Sequence, residues 1–280
     1  MTTDATPKPS ALLTATLRAA HQLLDKPLVL DDPLALRILG KEAEAGLRAS
    51  LGELNTPFRT ALRAILAVRS RLAEDTWHDS EAPQLVILGA GLDTSPYRMD
   101  LPLEAEVYEV DLPGALEWKR DLLQLAKISE REQVHYVGVD FNETQLEDAL
   151  EEAGFDAETP ACFTWLGVTL YLTPSDVKRT LEYIGGCAPG TSVVFDYVLA
   201  PELLEPQERS VMEAMAASLA QGGEPWKSSF TPEALEQMLR EAGFSEVEHF
   251  DRERLTELYL SGRSDSLRLG GATRLIRATV

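Results

Sequence analysis

The sequence predicts an α/β fold, a mostly parallel sheet covered by helices on both faces, with a helical cap before it and a helical lid inserted late in the chain. Three observations carry this expectation. Short β-branched runs alternate with helical patterns from residue 84 onward, some of those runs are apolar at consecutive positions, and residues 1–80 show helical periodicity alone.

The elements follow in order. In the cap, Leu12, Leu13, Leu17, Ala20 and Leu24 mark a first amphipathic helix, and Thr56-Pro57 opens another that runs to about Trp77. The strand runs are QLVILGAG, EVYEVD, QVHYVGVD, CFTWLGVTLYL and TSVVFDYV; those at 85–88 and 163–172 read as strands buried on both faces. Thr173-Pro174-Ser175-Asp176 supplies an N-cap hydroxyl, a proline at the first helical position and an acid at the third, so a helix starts there. LEEAGF at 150–155 and LREAGF at 239–244 each place a glycine just past an amphipathic run, as a helix end requires. The lid spans about 200–228: Glu202 to Gln221 carries Val211, Met212, Met215 and Leu219 on one face, and the loop Gly222 to Trp226 follows. Thr231-Pro232-Glu233 restarts a helix, and RLIRATV closes the chain as a last strand. The expectation is one domain over 1–280, with the cap at 1–80 and the core at 81–280.

Composition excludes several classes of function. With 46 acidic against 26 basic side chains the formal charge is −20, which opposes nucleic-acid binding. The longest uncharged apolar stretch, Ala161 to Leu172, falls well short of the about 20 residues a membrane helix needs. Asp4 and Arg18 interrupt the N-terminal segment, so no secretion signal is expected, and two cysteines without a C-x-x-C pair fit a reducing cytoplasm. Cys162 reads as a small hydrophobe in a buried strand. His21, His78, His135 and His249 read as isolated, structural or solvent-exposed, and no metal site is expected.

The informative motif is Leu88-Gly89-Ala90-Gly91-Leu92-Asp93-Thr94 after the first strand. Two glycines let the backbone approach a ligand closely, and Asp111 ends the second strand twenty residues past Gly91, where an acid can accept from both hydroxyls of a ribose. A dinucleotide site would prefer a third glycine where Thr94 stands, and a carboxylate at Asp93 would repel phosphate but suit an ammonium group. S-adenosylmethionine carries one. A nicotinamide oxidoreductase stays as a weaker alternative, since no tyrosine is followed four residues on by lysine. On the 57–77 helix, Phe58, Leu62, Ile65, Arg69 and Leu72 follow 4-3-4-3 spacing, so one positive charge, Arg69, lies in the apolar stripe while Arg71 points about 200° away. An inward guanidinium needs an anion, which the methionine carboxylate of that cofactor would supply; otherwise Arg69 sits at the stripe's edge and its head reaches solvent or a surface acid.

LGAGLDTSPYR, YEVDLP, GVDFNE, the GVTLYLTP turn and FDYV, in this order, resemble the leucine carboxyl methyltransferase-like family, especially its bacterial branch that includes polyketide O-methyltransferases. The resemblance runs from the TATLRAA and DDPLA segments to the final helices. It implies the Rossmann-like class I methyltransferase fold, normally seven strands with the last antiparallel. It further implies S-adenosyl-L-methionine as cofactor, with Gly89 and Gly91 beside it, Asp111 and Leu112 at its ribose, Asp140 and Phe141 at its adenine, and Arg69 at its carboxylate. One departure stands out: the family often has Glu five residues before the tyrosine of the fourth-strand turn, and this chain has Leu166.

Methyl transfer from a sulfonium releases a neutral leaving group, so it asks mainly for placement of the nucleophile. No catalytic acid–base residue is named by the sequence. Tyr171 after the fourth strand and Asp196-Tyr197 at the end of the fifth are candidates to face the acceptor, because ligands gather at the carboxyl ends of strands in open α/β sheets. The expected acceptor is a carboxylate or acidic hydroxyl on a small molecule. A cofactor-binding but catalytically silent protein is the alternative that Leu166 raises.

Overall fold

The computed structural model describes residues 8–140 and 146–280. The cap comprises α1 (Pro9–Leu24), α2 (Ala35–Leu39), α3 (Lys41–Ala49) and α4 (Pro57–Ser80). The core follows as β1 (Gln84–Leu88), α5 (Ser95–Arg98), β2 (Glu106–Asp111), α6 (Pro113–Leu125), β3 (Val134–Gly138), α7 (Leu146–Glu152), β4 (Ala161–Trp165), α8 (Pro174–Gly185) and β5 (Ser192–Val198). The lid helix α9 (Pro206–Gln221) precedes α10 (Pro232–Glu241), β6 (Glu246–Phe250), α11 (Arg252–Tyr259) and β7 (Thr273–Thr279).

The strands form one seven-stranded sheet in the order β3-β2-β1-β4-β5-β7-β6. β1 to β5 pair in parallel, and β7 runs antiparallel to both its neighbours. Alternate side chains feed two cores: Val86 and Leu88 pack with Phe163, Phe195 and the α8 residues Val177 and Leu181, whereas Leu85 and Ile87 pack on the opposite face with Val107, Leu123 and Trp77. This two-sided burial explains why all five residues of β1 and of β4 are buried. Since β1 pairs with β2 on one side and β4 on the other, the strand order reverses there, and a crevice opens above the carboxyl ends of β1 and β4.

Local chemistry sets the boundaries. Thr173 and Asp176 form the expected capping box, and Thr56 and Thr231 cap α4 and α10 by accepting from Arg59 N–H and Ala234 N–H. Gly154 (φ +96°) and Gly243 (φ +106°) lie just beyond the ends of α7 and α10 in the left-handed region, as both AGF motifs predict.

Several expectations are corrected. The apolar run 163–172 is not a single strand: β4 stops at Trp165, Gly167 turns the chain at φ +73°, and residues 169–171 form a 3-10 turn. Strand β6 escaped the sequence reading because it is a polar edge strand whose only fully buried residue is Phe250. The inward face of α4 is broader than a narrow stripe. Phe58 is exposed, residues 63–68 are all buried, and a second guanidinium, Arg63, is enclosed, its Nε and Nη2 donating to Asp25 at 2.6 and 2.9 Å. His21 is not isolated. It pairs with Asp25 at i+4 through Nδ1 (2.8 Å), while its Nε2 accepts from Val29 N–H and Leu30 N–H, a neutral structural tautomer. Val211 lies at the edge of the lid stripe and is exposed, leaving Met212, Met215 and Leu219 to face inward.

Candidate functional site

A cavity of about 440 Å³ occupies the crevice, floored by the ends of β1, β2, β4 and β5, walled by α1 and α4, and covered by α9 and the loop after it. Arg69, Gly89, Gly91, Asp93, Asp111, Leu112, Asp140, Tyr171, Asp196 and Tyr197 all line it. Phe141 lies outside the described residues.

The glycine loop is built by backbone geometry. Gly89 and Ala90 N–H both donate to Val110 O at the end of β2 (2.8 and 3.0 Å), which folds the loop over the strand ends. Gly89 and Gly91 adopt φ of +73° and +44°. A Cβ on Gly89 would overlap the Val168 side chain on the turn after β4, so glycine is required by conformation and by contact. Asp111 closes the arrangement: Oδ2 accepts from Gly91 N–H (2.8 Å) and Oδ1 from Leu112 N–H (2.7 Å). Its carboxylate thus sits beside the loop at the lip of the cavity.

A layer of buried charge behind the loop was not legible as part of the site. Arg18 on α1 donates to Leu92 O within the loop, and its Nε lies 3.1 Å from Asp32. Asp32 also accepts from Thr94 Oγ1 (2.6 Å), so Thr94, which occupies the third-glycine position, ties the loop to the cap. Arg98 pairs with Glu74 and reaches Asp32. The sequence signal was present: Arg18 interrupts an otherwise apolar helix face, and Asp32 stands in the DDPLA segment. Asp93, one residue before the N-cap Thr94, accepts from Ser95 N–H (2.7 Å). Burial raises the Asp93 pKa, but Arg18, Lys119 and the Ser95 N–H outweigh that and hold it below the ordinary carboxylate range.

On the other side of the cavity, Arg69 Nη1 donates to Asp196 Oδ2 at 2.8 Å, and Asp196 Oδ1 accepts from Gly167 N–H at 2.5 Å. The anion beside Arg69 in the structure is therefore Asp196, from the acceptor-facing candidates, and the guanidinium lies against Gly167, where a Cβ would come within 2.8 Å of it. Tyr197 is buried within the core on one face of the sheet, and burial pushes its phenol up to about 12. Tyr171 is only partly buried; its phenol is raised by burial as well. Leu166 lines the cavity and packs against the cluster around Val29, Ile65 and Val194.

The roof is joined to the cap by one contact the sequence did not reveal. Helix α1 has no side-chain cap of its own, and Glu224 from the loop after α9 supplies one: it accepts from Ser10 N–H (3.0 Å) and Ser10 Oγ (2.5 Å).

The donor set suits a particular ligand chemistry. Asp93, Asp111 and Asp140 line the cavity at its glycine-loop end, and among the described residues the helix after the loop, α5, is only four residues long and offers no run of free N–H groups to receive a diphosphate. A nucleoside with hydroxyls for Asp111, and with an amino-acid tail whose charges match Arg69 and Asp93, fits these residues.

Sheet order and strand-end cavity together define a class I methyltransferase fold. The sequence pattern of the leucine carboxyl methyltransferase family matches residues 11–185, and the chain belongs to this family. Among its relatives, YktD of Bacillus subtilis (strain 168), provisionally named an S-adenosyl-L-methionine-dependent methyltransferase, is 28% identical, covering 92% of this chain and 93% of its own. Rv3399 of Mycobacterium tuberculosis (strain H37Rv), named in the same way, is 30% identical over 90% of this chain and 71% of its own. In solved structures, a provisionally named methyltransferase from Thermobifida fusca YX and a DUF574 family protein from Streptomyces avermitilis MA-4680 each share the fold at TM-score 0.58 and 17% identity, over 99% of this chain and 96% and 98% of theirs.

Proposed function

We propose that the protein is an S-adenosyl-L-methionine-dependent O-methyltransferase acting on a carboxylate or acidic hydroxyl of a small molecule. The observation that carries this reading is the convergence of Gly89, Gly91, Asp111 and Arg69 on one cavity at the reversal of strand order. When bound, the cofactor supplies an electrophilic methyl group on a sulfonium.

The chain's own residues bind and orient. Asp111 would accept hydrogen bonds from the ribose hydroxyls with Leu112 beside it, Asp140 would border the adenine, the Gly89–Gly91 backbone would pass beside the cofactor, and Arg69 with Asp93 would attract the carboxylate and ammonium of its amino-acid end. The apolar roof, including Met212, Met215 and Leu219, excludes water from the acceptor.

Proton chemistry favours an acceptor that is already charged. Among the described residues lining the cavity there is no histidine. Asp196 is engaged by Arg69 and Gly167 N–H, and Glu224 by Ser10. A carboxylic acid with pKa about 4 is ionised at pH 7 and needs no base, whereas a phenol near 10 does. Methyl esters are thus the expected products. Incubation with methyl-labelled cofactor and a panel of carboxylate and phenolic metabolites, followed by mass spectrometry and alkaline hydrolysis, tests this. Alkali-labile label supports the carboxylate reading, and alkali-stable label alone would replace it with ether formation.

One observation favours a second reading. Leu166 faces the cavity where the family resemblance leads one to expect a carboxylate, consistent with a protein that binds the cofactor and acts without turnover. That reading gains if S-adenosylhomocysteine binds tightly and no acceptor in the panel is labelled.

A further inference from the structure

Behind the roof of the main cavity lies a second one, of about 260 Å³, between α9 and the chain leaving β5. Val198, Met212, Trp226 and Lys227 line both, so the two cavities share a wall. The main cavity, at about 440 Å³, is near the lower end of single-ligand sites, about 300–1,000 Å³, and must hold a cofactor and an acceptor together. A long acceptor bound beside the cofactor would reach the shared wall.

The chemistry of the second cavity is specific. Its body is apolar, with Leu199, Leu204, Met212 and Ala216, but two cations reach it, Arg209 and Lys227, against one carboxylate, Glu213. In a chain with 46 acidic and 26 basic residues that local balance is reversed. Arg209 has no carboxylate within ion-pair distance among the described residues: Nη2 donates to Leu204 O at 3.3 Å, and Nε is buried without a partner. Lys227 has its backbone N–H on Leu170 O (2.7 Å) and its ammonium in no ion pair among the described residues. A buried guanidinium nitrogen without an acceptor costs stability unless a ligand supplies one.

We propose that this second cavity is the far end of the acceptor site and takes an anionic group, a carboxylate, on an acceptor with an extended apolar body, so that Arg209 selects for a charge remote from the methylated end. The proposal rests on the reading of the main cavity as the methyl-transfer site. Arg209 grips the remote carboxylate, Met212 and Trp226 pack along the body, and the reacting group is presented toward the cofactor.

The test uses the full chain saturated with S-adenosylhomocysteine, and calorimetric titration with dodecanedioic acid and with dodecane-1,12-diol as the uncharged probe of the same length. The diacid should bind the wild-type protein about tenfold more tightly than it binds Arg209→Gln, the loss of one charge-assisted hydrogen bond, with Arg209→Lys in between. The diol should not distinguish the three. S-adenosylhomocysteine affinity, measured first in each variant, reports folding and the cofactor site independently. Equal diacid affinity in wild type and Arg209→Gln, or no diacid binding to a wild-type protein that binds S-adenosylhomocysteine, overturns this proposal and leaves the cofactor assignment standing; failure to bind S-adenosylhomocysteine overturns the reading beneath it.

Discussion

Arg69 on α4 and Asp196 on β5 form an ion pair across the floor of the main cavity, and Asp196 uses its other oxygen to hold the Gly167 turn after β4. Cap, sheet and turn thus meet at one carboxylate. Replacing Asp196 by Asn keeps an acceptor for Gly167 N–H but removes the charge that orients Arg69. The expected cost is about 1–3 kcal/mol in thermal or urea unfolding, with weaker S-adenosylhomocysteine binding. An unchanged midpoint would mean that Arg69 is held by something else.

Asp111→Ala should weaken S-adenosylhomocysteine binding by ~1–3 kcal/mol, since it removes a charged acceptor and releases Gly91 N–H. Isothermal calorimetry reads this directly. Asp111→Asn, which keeps one acceptor oxygen, should lose less, and an equal loss in both would place the charge rather than the geometry in control.

Gly89→Ala introduces a Cβ into the Val168 side chain at a left-handed φ, and binding should fall severely. Adding Val168→Ala relieves the overlap but not the φ strain, about 1–2 kcal/mol, so the double variant should recover part of the affinity. No recovery at all would show that contact with Val168 is not what excludes a side chain there.

Much of this architecture is written in short-range sequence chemistry. β1 from Leu85 onward and β4 stand out because their residues are apolar or β-branched where neighbours cover both faces, and Thr173, Thr56 and Thr231 mark helix starts by capping rules alone. The glycine loop and Asp111 were legible because their spacing depends on one strand–loop–helix unit. What stayed hidden depends on distant partners: Glu224 caps Ser10 from 214 residues away, and Asp32 joins Arg18 to Thr94 through tertiary contact. Arg63 and Arg69 look alike in sequence; packing alone sends one to Asp25 and the other to Asp196. Strand β6 lacks the apolar alternation because it lies at the sheet edge.

Glu224→Ala should free the N-terminal turn of α1 from the roof. The expected cost is about 0.5–2 kcal/mol, the scale of a lost helix cap, with faster amide exchange at residues 10–13 and 222–228 and none in β1 or β4. Unaltered exchange in the two joined segments would contradict a latch between them.

Acid should weaken the cap. Asp25 is pushed upward by burial, but the His21 hydrogen bond and Arg63 more than offset this, so its folded-state pKa lies below the ordinary value. A carboxyl depressed on folding contributes stability above its unfolded pKa of about 3.9, and that contribution disappears as pH falls through the lower folded value. Urea midpoints measured from pH 7 to pH 2 should therefore drop most steeply below about pH 4, and Asp25→Asn should flatten that limb while lowering stability at neutral pH. An identical acid limb in the variant would exclude Asp25 as a source.

The cavity above β1 and β4 is proposed as a sulfonium-nucleoside site. Isothermal calorimetry of the full chain with S-adenosylhomocysteine measures that most directly. The expected result is saturable binding at one site per chain, diminished in Asp111→Ala; absence of both heat and thermal stabilisation at millimolar ligand would contradict it.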